Sequence, residues 1–125
     1  MPNTKTILFI DDNPVDRTLI DRLLSKHNFN VLLAPNAKDG LKIAEEQQPD
    51  LILLDILLPG ISGIEVCKKL KSKTLTDHIP VIFYTSIDTP KHLIDYASYG
   101  AVDYVQKTTP PEILIRQIKN ILNVK

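Results

Sequence analysis

Five short apolar runs, Ile7 to Ile10, Val31 to Ala34, Leu51 to Leu54, Val81 to Tyr84 and Val102 to Val105, recur along the chain, and a segment with helical spacing follows each of them. Three of the runs are nearly continuous rather than alternating, which is how strands buried on both faces of a parallel sheet read. Crossovers between parallel strands are right-handed, and the connecting helices must cover both faces. The alternation therefore predicts an α/β fold, a (βα)5 doubly wound parallel sheet of five strands in the order 2-1-3-4-5, with helices on both faces.

The helical segments carry their own start and stop signals. Asp12 or Asn13 can cap the first, Pro14 suits its first turn, and Val15, Leu19, Ile20, Leu23 and Leu24 form its apolar stripe. The second runs from Asn36 to Glu46 with Ala37, Leu41 and Ala44 on one side, and Pro49 ends it. The third covers Gly63 to Leu70, and the stretch from Ser72 to His78 reads as loop. A short fourth helix is expected over Pro90 to Tyr99, closed by Gly100, and Pro110-Pro111-Glu112 opens a fifth with Leu114, Ile115, Ile118, Ile121 and Leu122 at helical spacing.

A chain of 125 residues is read as one domain, residues 1–125, with no interdomain linker. Fifteen basic and fifteen acidic residues balance, so no overall charge draws the chain to nucleic acid or to an anionic membrane, and no direct nucleic-acid contact is expected. The N-terminus carries no signal-like run and no stretch approaches a membrane span, so a cytoplasmic location is expected. The single Cys67 rules out an internal disulfide and is read as a small half-buried hydrophobe. His27, His78 and His92 have no spacing that makes a metal site.

Asp55 is the only charged residue between Leu51 and Gly60. A carboxylate directly after four large aliphatics is either buried at real cost or placed where a strand ends and a loop opens, and Pro59-Gly60 favours the second. Ligands of open parallel sheets bind at the carboxyl ends of the strands. At those ends stand Asp11-Asp12 on the first strand, Asp55 on the third, Thr85-Ser86 on the fourth and Lys107 on the fifth. Three neighbouring carboxylates repel unless a cation sits among them, and oxygen-only donors suit Mg2+. Such an ion, with an ammonium opposite, would neutralise an incoming phosphoryl group, and a carboxylate can accept one.

Asp11-Asp12, the stretch Asp55-Ile-Leu-Leu-Pro-Gly-Ile-Ser-Gly63, Thr85-Ser86 and Gly100-Ala-Val-Asp-Tyr-Val-Gln-Lys107 together resemble the receiver domain of two-component response regulators, over essentially the whole chain and with that family's flavodoxin-like strand order. The resemblance implies that Asp55 is the phospho-acceptor, supplied by a phosphohistidine on a sensor histidine kinase or histidine phosphotransfer protein. It implies Mg2+ held by Asp12, Asp55 and the backbone carbonyl of Leu57, with Asp11 acting through water. Lys107 would pair with the phosphoryl oxygens, Thr85 would hydrogen-bond one of them, and Tyr104 would be the aromatic switch. The surface of the fourth helix, fifth strand and fifth helix would meet a downstream protein target or an appended output domain, and a homodimer through it is left open. Such a domain is not an enzyme acting on external substrates; it catalyses only its own phosphorylation and dephosphorylation. With Lys125 last, the chain is expected to be a stand-alone regulator or a domain of a longer protein.

Three positions depart from the family pattern. Thr108 follows Lys107 where proline is common, Ser86 stands where alanine or glycine is frequent, and Asn13 replaces a common acidic residue. An alternative reading is a receiver-like module that docks without phosphorylation, although such domains typically lose an acidic residue or the lysine. A phosphatase using Asp55 is disfavoured because Leu57 stands where a second aspartate would serve as general acid. A flavin-phosphate loop is disfavoured because Asp11-Asp12-Asn13 would repel a phosphate that lacks a metal.

Overall fold

The computed structural model describes residues 4–87 and 95–125. Strand β1 (Thr6–Ile10) leads into helix α1 (Pro14–Lys26), β2 (Asn30–Ala34) into α2 (Ala37–Gln47) and β3 (Leu51–Leu54) into α3 (Gly63–Lys71). After β4 (Val81–Thr85) comes a 3-10 helix (Tyr96–Tyr99), then β5 (Asp103–Gln106) and α4 (Pro111–Leu122). All strand pairings are parallel and the order is β2-β1-β3-β4-β5, as the alternation of apolar runs predicts.

Because successive side chains on a strand point to opposite faces, each buried strand feeds two cores. Leu8, Ile10, Ile52, Leu54, Val81 and Phe83 join Ala37 and Ala44 of α2 and Val66, Cys67 and Leu70 of α3 on one face. Ile7, Phe9, Leu51, Leu53, Ile82, Tyr84 and Val105 join Ile20 and Leu24 of α1 and Leu114, Ile115 and Ile118 of α4 on the other. This double coverage is why β3 is apolar at every position. Among the described residues no helix is long and apolar enough to cross a membrane.

Side-chain caps fix where the helices begin. Asn13 Oδ1 accepts from the Val15 and Asp16 amides, Asn36 Oδ1 from Asp39, and Ser62 Oγ from Ile64. Asn13, rather than Asp12, is thus the cap of α1, which leaves the Asp12 carboxylate exposed beyond the strand end.

Some expectations shift. The stripe read on α1 is wider than the face it buries: Ile20 and Leu24 are buried, whereas Val15 and Leu19 stay 63% and 57% exposed. The helix touches the sheet along one ridge, and positions 15 and 19 lie beside it. Strand β5 begins one residue later than the apolar run, with Val102 in the turn and its amide donating to the Val81 carbonyl at the base of β4. Cys67 is fully buried, its thiol donating to the Tyr99 carbonyl. Of the expected helix over Pro90 to Tyr99, the described part is the 3-10 turn; the rest of that expectation, and His92, lie outside the described residues.

Candidate functional site

Backbone ladders bring the strand ends together. The Asp55 amide donates to the Ile10 carbonyl at 3.0 Å and the Asp11 amide to the Ala34 carbonyl at 3.0 Å, so both aspartates continue their ladders by one residue. On the far side the Lys107 amide donates to the Thr85 carbonyl at 2.9 Å. Asp11, Asp55, Thr85 and Lys107 are therefore placed by sheet register and not by loop packing.

The loop after Asp55 is held by one close approach. The Gly63 amide donates to the Ile56 carbonyl at 2.9 Å, and a Cβ at residue 63 would overlap the Asp55 carbonyl oxygen and crowd the Ile56 Cα. Only glycine lets α3 start this near the strand end. The Asp55 side chain meanwhile accepts from the Leu57 amide at 3.1 Å through Oδ1.

Lys107 reaches across to three carboxylates. Its Nζ lies 2.6 Å from Asp11 Oδ2, 2.7 Å from Asp16 Oδ2 and 3.2 Å from Asp55 Oδ2. Burial alone would lower the lysine's pKa, but the hydrogen bonds to Asp11 and Asp16 and the charge of Asp55 outweigh it, and the net shift is upward. The Asp11 carboxyl is pushed up, chiefly by burial, and the bonds from Lys107 and the Asn13 amide oppose that only in part.

Asp11, Asp12 and Asp55 each offer a carboxylate oxygen, and these lie within 4.8 Å of one another. Both oxygens of Asp11 already face partners, the Asn13 amide and the Lys107 ammonium. Asp12 is exposed and, with Asp55 and Leu57, lines a cleft of about 570 Å³ that also touches Asn13, Asp16, Ser86 and Lys107. The donor set is all oxygen, strongly anionic and open to water, which fits a hard divalent cation.

Thr85 and Tyr104 meet through residue 87. The Thr85 hydroxyl, fully buried, accepts from the Ile87 amide at 3.4 Å, and the Tyr104 hydroxyl donates to the Ile87 carbonyl at 2.7 Å. Ser86 is exposed at the cleft and leaves the approach to Asp55 open. The Lys107–Thr108 peptide is trans, as is every other among the described residues.

Every site residue read from the sequence thus lies at one rim of the sheet or, for Tyr104, three residues back along β5 from Lys107. Two residues that matter there were not singled out by that reading. Asp16 sits inside the first turn of α1, where an acidic residue passes for a helix-dipole partner. Gly63 reads in the sequence as a helix start within a motif, and its close approach to the Asp55 carbonyl depends on a tertiary contact that no local pattern encodes.

Comparison with known proteins agrees with this geometry. Residues 7–119 match the model of the response regulator receiver domain. The chain is 34% identical over 116 residues to Protein PilH of Pseudomonas aeruginosa, covering 93% of this chain and 96% of that protein. It is 36% identical over 117 residues to Transcriptional regulatory protein AfsQ1 of Streptomyces coelicolor, covering 94% of this chain but only 51% of that longer protein. Among solved structures it superposes with a TM-score of 0.87 on the receiver domain of sensor histidine kinase PA1611 from Pseudomonas aeruginosa, which holds a magnesium ion in its active-site cleft, at 25% identity over 96% of this chain and 98% of that one. With Asp55, Lys107 and Thr85 standing together at the carboxyl edge of a β2-β1-β3-β4-β5 sheet, the chain belongs to the response regulator receiver domain family.

Proposed function

We propose that Asp55 is the phospho-acceptor of this receiver and that its phosphorylation switches an output surface. The observation that carries the reading is the convergence of three acidic side chains within 4.8 Å, with the Lys107 ammonium 3.2 Å from Asp55 Oδ2. In the transfer, an Asp55 oxygen forms a bond to phosphorus as the phosphorus–nitrogen bond of a donor phosphohistidine breaks, and the imidazole nitrogen keeps the electron pair. The donor is a sensor histidine kinase or a histidine phosphotransfer protein.

Asp12, Asp55 and the Leu57 carbonyl would hold Mg2+, and Asp11, both of whose oxygens are engaged, would act through water. When bound, that ion neutralises charge on the phosphoryl oxygens. The related PA1611 receiver, which holds magnesium in its cleft, supports this assignment. Lys107 takes a phosphoryl oxygen as an ion-pair partner, and the Thr85 hydroxyl donates to another. Because Thr85 and Tyr104 both bond to residue 87, a turn of the Thr85 hydroxyl toward the phosphoryl group alters the anchor of the Tyr104 ring. The ring then changes the surface that β5 shares with α4 and the segment before it, where a downstream protein or an appended domain docks.

The test is chemical. With Mg2+ and a small-molecule phosphodonor, the protein gains an acid-stable, base-labile phosphate; Asp55→Asn does not, and chelating the metal abolishes labelling. Labelling of the Asn variant at the wild-type level overturns the assignment. Absence of both labelling and Mg2+ binding in the wild type favours a docking module that works without phosphorylation.

A further inference from the structure

An ammonium has three N–H groups to donate, and Lys107 faces three carboxylates. The three contacts differ in what it takes to release them. Asp11 has no side-chain exposure, so losing the ammonium would strand a buried charge. Asp55 has the longest contact, 3.2 Å, and is the residue to be modified. Asp16 holds the ammonium at 2.7 Å yet keeps 27% of its side chain exposed, on the first turn of α1 at the mouth of the cleft. Water can solvate Asp16 if that contact opens.

A phosphoryl group on Asp55 brings new acceptor oxygens and more negative charge. The Lys107 proton now turned toward Asp55 can pass to a phosphoryl oxygen, but the added negative charge draws the ammonium away from α1. Of the two contacts that remain, the partly hydrated one to Asp16 costs least to lengthen. We propose that Asp16 is a positioning residue that competes with the phosphoryl group for the Lys107 ammonium. In the unmodified protein it draws the ammonium toward α1, and this contact opposes the movement of Lys107 toward the modified Asp55. Asp16 thereby sets how readily this receiver accepts and keeps its phosphoryl group. The inference rests on the reading of Asp55 as phospho-acceptor.

Beryllofluoride, a stable mimic of a phosphoryl group on a carboxylate, separates the two ideas. It is titrated with magnesium chloride into wild type, Asp16→Asn, Asp16→Glu, Asp21→Asn and Asp55→Asn, and binding is followed by fluorine NMR. Asp16→Asn should bind about fivefold more tightly than wild type, the range of a partly exposed ion pair. Asp16→Glu, which keeps the competing charge, should stay near wild type. Asp21→Asn removes the same charge from the same helix without a bond to Lys107, and should also stay near wild type. An unchanged affinity in Asp16→Asn overturns the role of Asp16 while leaving that of Asp55 intact. Equal tightening in Asp21→Asn or Asp16→Glu overturns it too, since general electrostatics or helix packing would then suffice. Failure of the wild type to bind, or undiminished binding by Asp55→Asn, removes both readings together.

Discussion

Lys107 Nζ stands 2.6 Å from Asp11 Oδ2, on a carboxylate side chain that has no exposure to solvent. The pair joins the ends of β1 and β5 across the intervening β3 and β4, so the lysine is structural as well as chemical. Lys107→Ala leaves Asp11 beside Asp55 without its cation. Removing one partner of a buried pair costs roughly 3–5 kcal/mol, and here about 2–3 is expected because Asp11 keeps the Asn13 amide bond and can take up a proton.

That last point fixes the sign of a pH dependence. The folded pKa of Asp11 is raised above its ordinary value of 3.8, mainly by burial, so the folded state holds the Asp11 proton more tightly than the unfolded state. Stability from this group is therefore gained as pH falls through the raised folded value toward 3.8. In Lys107→Ala the opposing ammonium is gone and the window widens upward. Lys107 itself, raised in the fold, is charged in both states across the neutral and acidic range, well below its ordinary 10.5, and adds no slope there. The stability deficit of Lys107→Ala, measured by urea unfolding with a chelator present, should shrink between neutral and mildly acidic pH. A deficit that holds steady or grows on acidification would contradict the burial of an ionised Asp11.

Cys67 gives a separate check on the core. Burial pushes its thiol up to about 11, and the side chain is fully enclosed against Tyr99. Thiolate is the reactive form, so in the native protein Cys67 should resist a thiol-specific reagent at neutral pH and react fully once urea unfolds the chain. Rapid stoichiometric labelling without denaturant would mean that α3 and the 3-10 turn open often enough to expose the Cys67 thiol.

The order of the sheet and the rim occupied by Asp11, Asp55, Thr85 and Lys107 were legible because apolar runs and strand ends are local signals. The helix cap near Asn13 was equally so, since a side-chain oxygen bonding an amide a few residues on depends on nothing distant. What escaped needs the tertiary structure. Nothing near Asp16 in sequence announces that Lys107 will reach it, 91 residues on. The apolar spacing of α1 shows which residues share a side, but not that Val15 and Leu19 fall beyond the edge of the sheet's cover.

Gly60 lies in the loop after β3 and Gly63 opens α3, and the two predict different outcomes. At Gly60, with φ of +82°, an added Cβ meets nothing within 4 Å, so alanine adds only backbone strain of roughly 1–2 kcal/mol. At Gly63 the same Cβ would overlap the Asp55 carbonyl oxygen. Relief requires α3 or the strand end to move, which costs roughly 1–3 kcal/mol and displaces Asp55. Gly63→Ala should therefore slow phosphodonor labelling well beyond its effect on stability, while Gly60→Ala, compared by thermal melting and labelling rate, should keep near-normal labelling. Similar labelling in both variants would show that the position of Asp55 does not depend on this contact.

Thr85, Ile87 and Tyr104 are joined by hydrogen bonds that can be cut one at a time. Leu57 senses Asp55 directly, because its amide donates to Asp55 Oδ1. Ile87 has its link to the site through the Thr85 hydroxyl, and its carbonyl receives both the Tyr104 hydroxyl at 2.7 Å and the Gln106 amide group at 3.2 Å. In an NMR titration with beryllofluoride and Mg2+, wild type should show shifts at the Leu57 and Ile87 amides and at the Tyr104 ring. Thr85→Ala keeps Asp55 and should keep the Leu57 shift, but the Ile87 and Tyr104 responses should fall at least severalfold. Tyr104→Phe should lose less than about 1.5 kcal/mol of stability, since Gln106 still bonds the Ile87 carbonyl, and should retain the Ile87 shift. Coupling between sites needs an element that both can bias, and residue 87 is that element only if Thr85→Ala uncouples Tyr104 from Asp55. Undiminished Tyr104 shifts in Thr85→Ala would place the connection elsewhere, through the register of β5 itself.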